Sequence, residues 1–304
     1  MKKLLYAVIM QVLIFQPATA GTDATRYRDI VFSQVKTDSV VYSTQNGVPL
    51  YMDVYQPAGD TARLRPLVIL AHGGSFIHGN RRSDAIPGLC REMASRGFVV
   101  ASIDYRLTNL WGMLTKPKAY AAIIKAVADG RNSVRWFIND AANGNTYGIN
   151  PARIFFGGSS AGGILAEQLA YMGGVAKCSP ILCRAAGKYL PDTGALPPHA
   201  IRGCISLAGA LLDTNLIGPG GTPILHIQGD ADHVVPFGYQ RPVHKLAPFR
   251  LAGLGASRPR YKSQHIDFSE YVLINGGHTP WDYDSNAFKI VVEQIVAFTA
   301  REMK

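Results

Sequence analysis

A serine hydroxyl is a weak nucleophile unless a neighbouring base takes its proton and the backbone holds it clear of competing contacts. Gly158-Ser159-Ser160-Ala161-Gly162 supplies one candidate. The pentapeptide follows an apolar run over 153–157 and opens a helix-like stretch over 164–172. A GxSxG between a strand and a helix is a strained elbow that presents its central serine at the mouth of a sheet. Two serines are adjacent, so register matters. Reading from Gly157 puts Ser159 in the central slot but leaves Ala161 where the closing glycine belongs, whereas Ser160 has a glycine two residues away on either side. The competing reading is a Gly/Ser turn without chemistry, and the rest of the chain decides between them.

Attack on an acyl carbon puts negative charge on an oxygen, which must be met by fixed N–H dipoles where water is scarce. His72-Gly73-Gly74-Ser75-Phe76 ends the apolar run over 66–71, which reads as a buried central strand. The NH groups of Gly73, Gly74 and Ala161 are assigned to that oxyanion hole. A plain turn out of a strand would share the same backbone shape, so the assignment depends on Ser160.

Activating Ser160 needs an imidazole and a carboxylate to orient it, and where the serine sits on such a strand-to-helix elbow the chain order is serine, acid, histidine. The strand-like segment 222–229 ends in Asp230-Ala231-Asp232-His233-Val234-Val235-Pro236. Asp232 is the favoured acid because it lies deeper in the loop; Asp230 reads as a brace for that loop. Residues 271–274 form another strand-like run, and Asn275-Gly276-Gly277-His278 places a histidine just past its end. His278 is the expected base. Of the other histidines, His226 reads as a satisfied core residue, His233, His244 and His265 as solvated, and His199 as a loop residue after two prolines.

Taken together, residues 66–76, Asp104-Tyr105-Arg106, 150–154, 158–162, 229–236 and Gly277-His278 resemble an α/β-hydrolase of the bacterial carboxylesterase and lipase group, close to its hormone-sensitive-lipase-like branch. The resemblance runs from about Val48 to the C-terminus. It implies a cofactor-free, metal-free enzyme that works through an acyl-enzyme. One departure is Ser75, where many relatives carry a third glycine. The chain also resembles exported bacterial poly(aspartic acid) hydrolases, which cleave amide bonds of a polyanion on this same fold.

The residue pattern itself calls for a sheet that can bring these groups together. Runs over 39–43 and 50–55 flank Asn46-Gly47, a hairpin signal. Strand-like and helix-like segments then alternate: 67–71, helix 86–96, 98–103, helix 119–139, 154–156 and helix 161–172, with a closing helix over 285–300. Such alternation predicts an α/β fold with a mostly parallel sheet, an N-terminal antiparallel hairpin and helices on both faces. Residues 21–304 are expected to form a single domain, with loop insertions near 173–200 and 237–264.

A chain of 304 residues, 47% hydrophobic, is long enough for one large core. At the N-terminus Lys2-Lys3 precede an apolar run over 4–15, and Ala18-Thr19-Ala20 offers small residues for cleavage. Residues 1–20 therefore read as a secretory signal peptide cut after Ala20, which implies a secreted or periplasmic protein. The run is too short and too interrupted by Gln11 for a stable membrane anchor. An oxidising compartment permits pairing of the four cysteines in three ways. Cys178 and Cys183 bracket a short loop and are the preferred bridge, while Cys90 and Cys204 read as buried thiols.

The net charge of +10 falls to +8 once Lys2 and Lys3 leave with the signal. No acid occurs between Asp232 and Asp267, yet Arg241, Lys245, Arg250, Arg258, Arg260 and Lys262 do. Arg81, Arg82, Arg106, Arg241 and Lys245 are candidate substrate contacts on a positive rim that would concentrate an anionic substrate. The competing readings are ordinary solvated charge and, for Arg106, a structural pairing with Asp104. The expected substrate is a small or polymeric ester or amide. No nucleic-acid module is recognisable, and nothing in the sequence fixes an oligomeric state. A catalytically silent, binding-only hydrolase fold is the alternative of a different class.

Overall fold

In the strand Arg65–Ala71 every residue is buried. Leu67, Ile69 and Ala71 point into one core, and Val68 and Leu70 into another on the opposite face. Continuous apolar sequence is what a strand covered on both sides requires, and this one organises the molecule. The computed structural model describes residues 25–172, 178–190, 195–243 and 245–304; the expected signal peptide and cleavage site, and His244, lie outside them.

The chain enters through an antiparallel hairpin, β1 (Val35–Gln45) and β2 (Val48–Pro57), turning at Asn46 and Gly47, both at positive φ. The central strand above is β3. It is followed by α1 (Ile86–Ala94), β4 (Val99–Ile103), α2 (Lys116–Ala142), β5 (Ile149–Ser159), α3 (Ala161–Tyr171), α4 (Pro180–Tyr189), β6 (Gly203–Leu207) and β7 (Ile224–Gly229). A two-stranded ribbon of β8 (Tyr239–Gln240) and β9 (Leu251–Ala252), then α5 (Leu254–Ser263), β10 (Phe268–Leu273) and α6 (Ser285–Glu302), complete it. The main sheet has the order β1-β2-β4-β3-β5-β6-β7-β10. From β4 to β10 every pairing is parallel. Helices α2 and α3 cover one face, α1 and α6 the other.

The fold is therefore the α/β arrangement expected from the alternation of segments. Two expected loops need correction. The stretch 173–200 contains α4, whose Leu182, Ala185 and Ala186 are buried. The stretch 237–264 contains the β8–β9 ribbon and α5. The Cys178–Cys183 disulfide is present, with Cα atoms 5.6 Å apart, and Cys90 and Cys204 are free and buried.

Candidate active site

Parallel strands deliver their carboxyl ends to one edge of the sheet, and that edge gathers the candidate residues. Ser160 stands between β5 and α3 with φ 55° and ψ −115°, a backbone conformation that costs free energy and persists only when its surroundings over-determine it. They do. A Cβ on Gly158 would lie 2.5 Å from the Ala71 carbonyl oxygen and from the Gly162 carbonyl carbon; one on Gly162 would lie 2.1 Å from the same oxygen. Only glycine permits the end of β3, the end of β5 and the start of α3 to approach so closely. The Ser160 NH donates to Leu207 O of β6 at 2.8 Å, and Ser160 O caps the first turn by accepting from Ile164 NH at 2.9 Å. The adjacent Ser159 belongs to β5 and is buried, its Oγ 3.2 Å from the donor Trp281 Nε1. Register thus distinguishes the two serines as the glycine spacing predicts.

Asp232 and His278 arrive from β7 and β10, which pair in parallel with Gly229 opposite Leu273. The Asp230 and Ala231 NH groups donate to Leu273 O and Gly276 O, so the two loops hold each other backbone to backbone. Asp230 braces the loop through that NH; its side chain is exposed. Asp232 is 4% exposed, and its Oδ1 accepts from the Val234 and Val235 NH groups at 2.8 and 2.9 Å. Its Oδ2 lies 2.8 Å from His278 Nδ1, and His278 Nε2 lies 2.8 Å from Ser160 Oγ. An ionised carboxylate only accepts, so the imidazole proton sits on Nδ1 and leaves Nε2 free to accept from the serine hydroxyl. The three side chains read from sequence, Ser160, Asp232 and His278, form one continuous relay.

Gly73 sits against the nucleophile: a Cβ there would be 3.4 Å from Ser160 Cβ. Gly74 has φ 100°, and a Cβ on it would fall 2.1 Å from His78 O. Ala161 is the first residue of α3, where NH groups have no acceptor within the helix. Sequence reasoning missed what fixes this loop. Tyr105 OH donates to His72 O at 2.9 Å and lies 3.2 Å from Gly73 O, while its ring stacks on His72 at 4.3 Å. His72 is buried, donates from Nδ1 to Gly73 O at 2.7 Å, and has its pKa lowered by desolvation, which keeps it neutral. The sequence signal was present in Asp104-Tyr105-Arg106 at the end of β4, next to β3. Two carboxylates also reach the mouth. Asp84 Oδ2 would stand 3.1 Å from a Gly73 Cβ, and Asp282 Oδ1 accepts from the Ala85 NH at 3.0 Å. Asp282 is exposed as a residue, but its carboxyl is partly desolvated. That desolvation, offset in part by hydrogen bonds from Thr279 and Ala85, raises its pKa, with the nearby Asp84 charge adding to the rise.

Known proteins resemble this chain in fold and, over part of its length, in sequence. The BD-FAE family model matches residues 52–191. Thermogutta terrifontis esterase 2, in its propionate-bound structure, superposes with a TM-score of 0.65 at 19% identity, covering 87% of this chain and 94% of that one. The chain has the α/β-hydrolase fold, and over part of its length it is similar in sequence to carboxylesterase-like proteins. Among sequence relatives, a probable isoprenylcysteine α-carbonyl methylesterase of Oryza sativa subsp. japonica is 35% identical over 135 residues, 44% of this chain and 28% of that protein. Arylacetamide deacetylase of Bos taurus is 33% identical over 129 residues, 42% and 29% of the two chains. A non-reducing polyketide synthase of Acremonium egyptiacum matches 58% of this chain at 26% identity, but only 7% of its own length. This chain thus spans a small part of the curated relatives it matches.

The cationic rim differs from the sequence expectation. Arg106 does not pair with Asp104: its guanidinium binds Asp129 of α2 at 2.8 Å and the Lys125 carbonyl at 3.1 Å. Asp104 instead takes Arg81 at 2.8 Å, and Arg81 and Arg82 both bind Asp53 of β2, at 2.7 and 2.6 Å. Burial alone would raise the Asp53 pKa. Hydrogen bonds from Arg82, Arg81 and Ser39 outweigh it and hold the carboxyl at about 2. Three of the five candidate substrate contacts therefore carry intramolecular ion pairs, while Arg241 and Lys245 are exposed. His226 lies in the core as expected, but neither ring nitrogen meets a partner at hydrogen-bonding geometry, although the Gly209 backbone lies near enough to favour its protonated form slightly. Among the described residues no cluster of ligating side chains could hold a metal ion.

Proposed function

We propose that the protein is a serine hydrolase that cleaves carboxylic esters through an acyl-enzyme, with Ser160 as nucleophile. The observation that carries this is the relay itself, Ser160 Oγ to His278 Nε2 and His278 Nδ1 to Asp232, at 2.8 Å in each step. Ser160 Oγ attacks the acyl carbon as His278 takes its proton, and Asp232 stabilises the imidazolium without accepting the proton. The NH groups of Gly73, Gly74 and Ala161 meet the charge on the carbonyl oxygen, an effect of about 3 kcal/mol per donor. Collapse expels the alcohol, which receives its proton from His278. Water activated by the same histidine then releases the acid and restores Ser160.

Related names point the same way: relatives include a methylesterase and a deacetylase, and the esterase of like fold is recorded phosphorylated by paraoxon. Cleavage of a polyanion such as poly(aspartic acid) is less well supported. It needs unengaged cations, and of the five candidates Arg81, Arg82 and Arg106 are paired, which leaves Arg241 and Lys245, while Asp84 and Asp282 add negative charge at the mouth. Export through a cleaved signal is part of the same proposal, and the Cys178–Cys183 disulfide supports an oxidising destination. The test is turnover of short-chain nitrophenyl esters and labelling by a serine-directed phosphonate. Ser160→Ala should abolish labelling and lower kcat by about 10⁶-fold, toward the residual rate that oxyanion donors and binding alone support, with the circular dichroism spectrum unchanged. Full activity in that variant rejects the assignment, and an unlabelled wild-type protein points to a binding-only fold.

A further inference from the structure

Two surface segments flank the catalytic mouth, and each leaves apolar side chains outside. The first follows β4 and exposes Leu107, Leu110, Trp111 and Leu114, with Leu110 at 65% and Trp111 at 71%. These side chains are held there by structure. A 3₁₀ turn over Leu110–Met113 is capped by Asn109, whose side chain accepts from the Gly112 NH, and Met113 packs inward against the core. The Thr108 NH donates to Phe76 O at 2.8 Å, which ties the segment to the oxyanion loop. The second segment follows the acid loop and exposes Tyr239, Val243 and Leu246, the last at 80%. The Val243 NH donates to Val234 O at 2.7 Å, two residues beyond Asp232.

The two banks share a cavity of about 360 Å³ lined by Lys116 and Tyr120 from one side and Tyr239 and Ala252 from the other, with Asp213 the one acidic residue in its lining. Single exposed apolar residues are ordinary, but clustering is not. Seven of the fourteen large apolar side chains exposed among the described residues lie on these two segments. Charge then selects the partner. Neither 107–119 nor 233–266 contains an aspartate or glutamate, yet Lys116, Lys118, Arg241, Lys245 and Arg250 lie on them. All but the half-buried Lys116 are exposed. Arg250 lies over the Tyr239 ring, 5.5 Å from its centroid, so cation and aromatic face outward together.

Exposed Trp, Tyr and Leu interleaved with Lys and Arg suit the boundary between acyl chains and anionic headgroups. We propose that this rim docks the protein on an anionic lipid surface, reversibly and with the catalytic mouth facing the acyl groups. Among the described residues no helix is long and apolar enough to cross a membrane, so the contact is peripheral. What docking delivers to Ser160 rests on the hydrolase reading; the docking itself does not.

The test uses the full chain carrying Ser160→Ala, which cannot consume lipid, sedimented with phosphatidylglycerol or phosphatidylcholine vesicles. Binding to phosphatidylglycerol should exceed binding to phosphatidylcholine by about tenfold or more at low salt and weaken as salt rises. Tryptophan emission should shift to the blue on binding, and the shift should vanish in Trp111→Phe. Trp111→Ser with Leu246→Ser should lose binding to phosphatidylglycerol. Arg241→Glu with Lys245→Glu should remove the preference for the anionic lipid. Equal partition with either vesicle, or binding unchanged in both variants, overturns the proposal. Soluble nitrophenyl ester turnover is measured separately, without vesicles and with Ser160 intact. Its absence alongside normal vesicle binding refutes the hydrolase reading and leaves docking standing; normal turnover without vesicle binding does the reverse.

Discussion

At the scale of single residues, the roles of Asp232 and Tyr105 are separable. Asp232 accepts from His278 Nδ1 and from two backbone NH groups. Asp232→Asn keeps the size but offers an amide whose NH₂ can face the histidine, which favours the wrong imidazole tautomer; kcat should fall by about 10⁴-fold. Recovery of activity at high pH would show that a protonated histidine, rather than the tautomer, was limiting. Tyr105 touches no reacting atom. It is a positioning residue, whose hydroxyl holds the carbonyls of His72 and Gly73 and whose pKa is raised by burial, so it stays a donor across the working range. Tyr105→Phe removes those bonds while keeping the ring stack, and should lower kcat about tenfold with KM nearly unchanged, because it loosens donors used in the transition state. A change in KM alone would argue against that role.

At the scale of elements, the elbow was legible because its glycines answer a steric demand that no other residue meets. Gly162→Ala forces a methyl against Ala71 O, a backbone atom that cannot move aside. The variant should lose at least about 3 kcal/mol of stability or fail to hold Ser160 in place, visible as a lowered urea midpoint and loss of phosphonate labelling. Strand β3 was legible for the opposite reason: both faces are covered, so apolar residues run unbroken from Pro66 to Ala71. Helix α5 was not. It contains Gly255 and Pro259, and its buried face consists of Leu254, Ser257 and Tyr261, so its sequence carries no apolar stripe and reads as loop. The pairing of Arg106 was also hidden. Asp104 is two residues away in sequence, but the partner comes from α2, 23 positions on, and only the packing of that helix on the sheet brings Asp129 within reach.

Across the whole molecule, stability should depend on pH through one buried pair. Glu167 of α3 accepts from Ser206 Oγ of β6 at 2.6 Å and from Tyr261 OH of α5 at 3.3 Å, and its Oε1 lies 3.7 Å from His226 Nδ1 of β7. That distance would suit an ion pair, but desolvation keeps both groups neutral: it raises Glu167 from 4.5 to about 8 and lowers His226 from 6.5 to about 3. Between pH 4.5 and 8 the folded state keeps a Glu167 proton that the unfolded chain releases, so stability falls as pH rises. Between pH 3 and 6.5 the unfolded chain takes up a His226 proton that the folded state refuses, so stability rises with pH. The two slopes oppose each other from 4.5 to 6.5 and leave that interval nearly level. From 6.5 to 8 only the glutamate of this pair acts, and its proton should lower stability by on the order of 2 kcal/mol, at about 1.4 kcal/mol per pH unit. Asp53, held at about 2, contributes a constant amount above its ordinary value of 3.8, and that contribution is lost only as pH falls from 3.8 toward 2. Urea midpoints measured from pH 4 to 9 should therefore show a plateau and then an alkaline decline. Glu167→Gln cannot ionise; its carbonyl accepts from one hydroxyl while its NH₂ donates to the other, so its decline above 6.5 should disappear and the histidine slope below 6.5 should emerge. If the variant still declines between 6.5 and 8, the proton lies elsewhere, and the core joining α3 to β6, β7 and α5 does not set the alkaline limit.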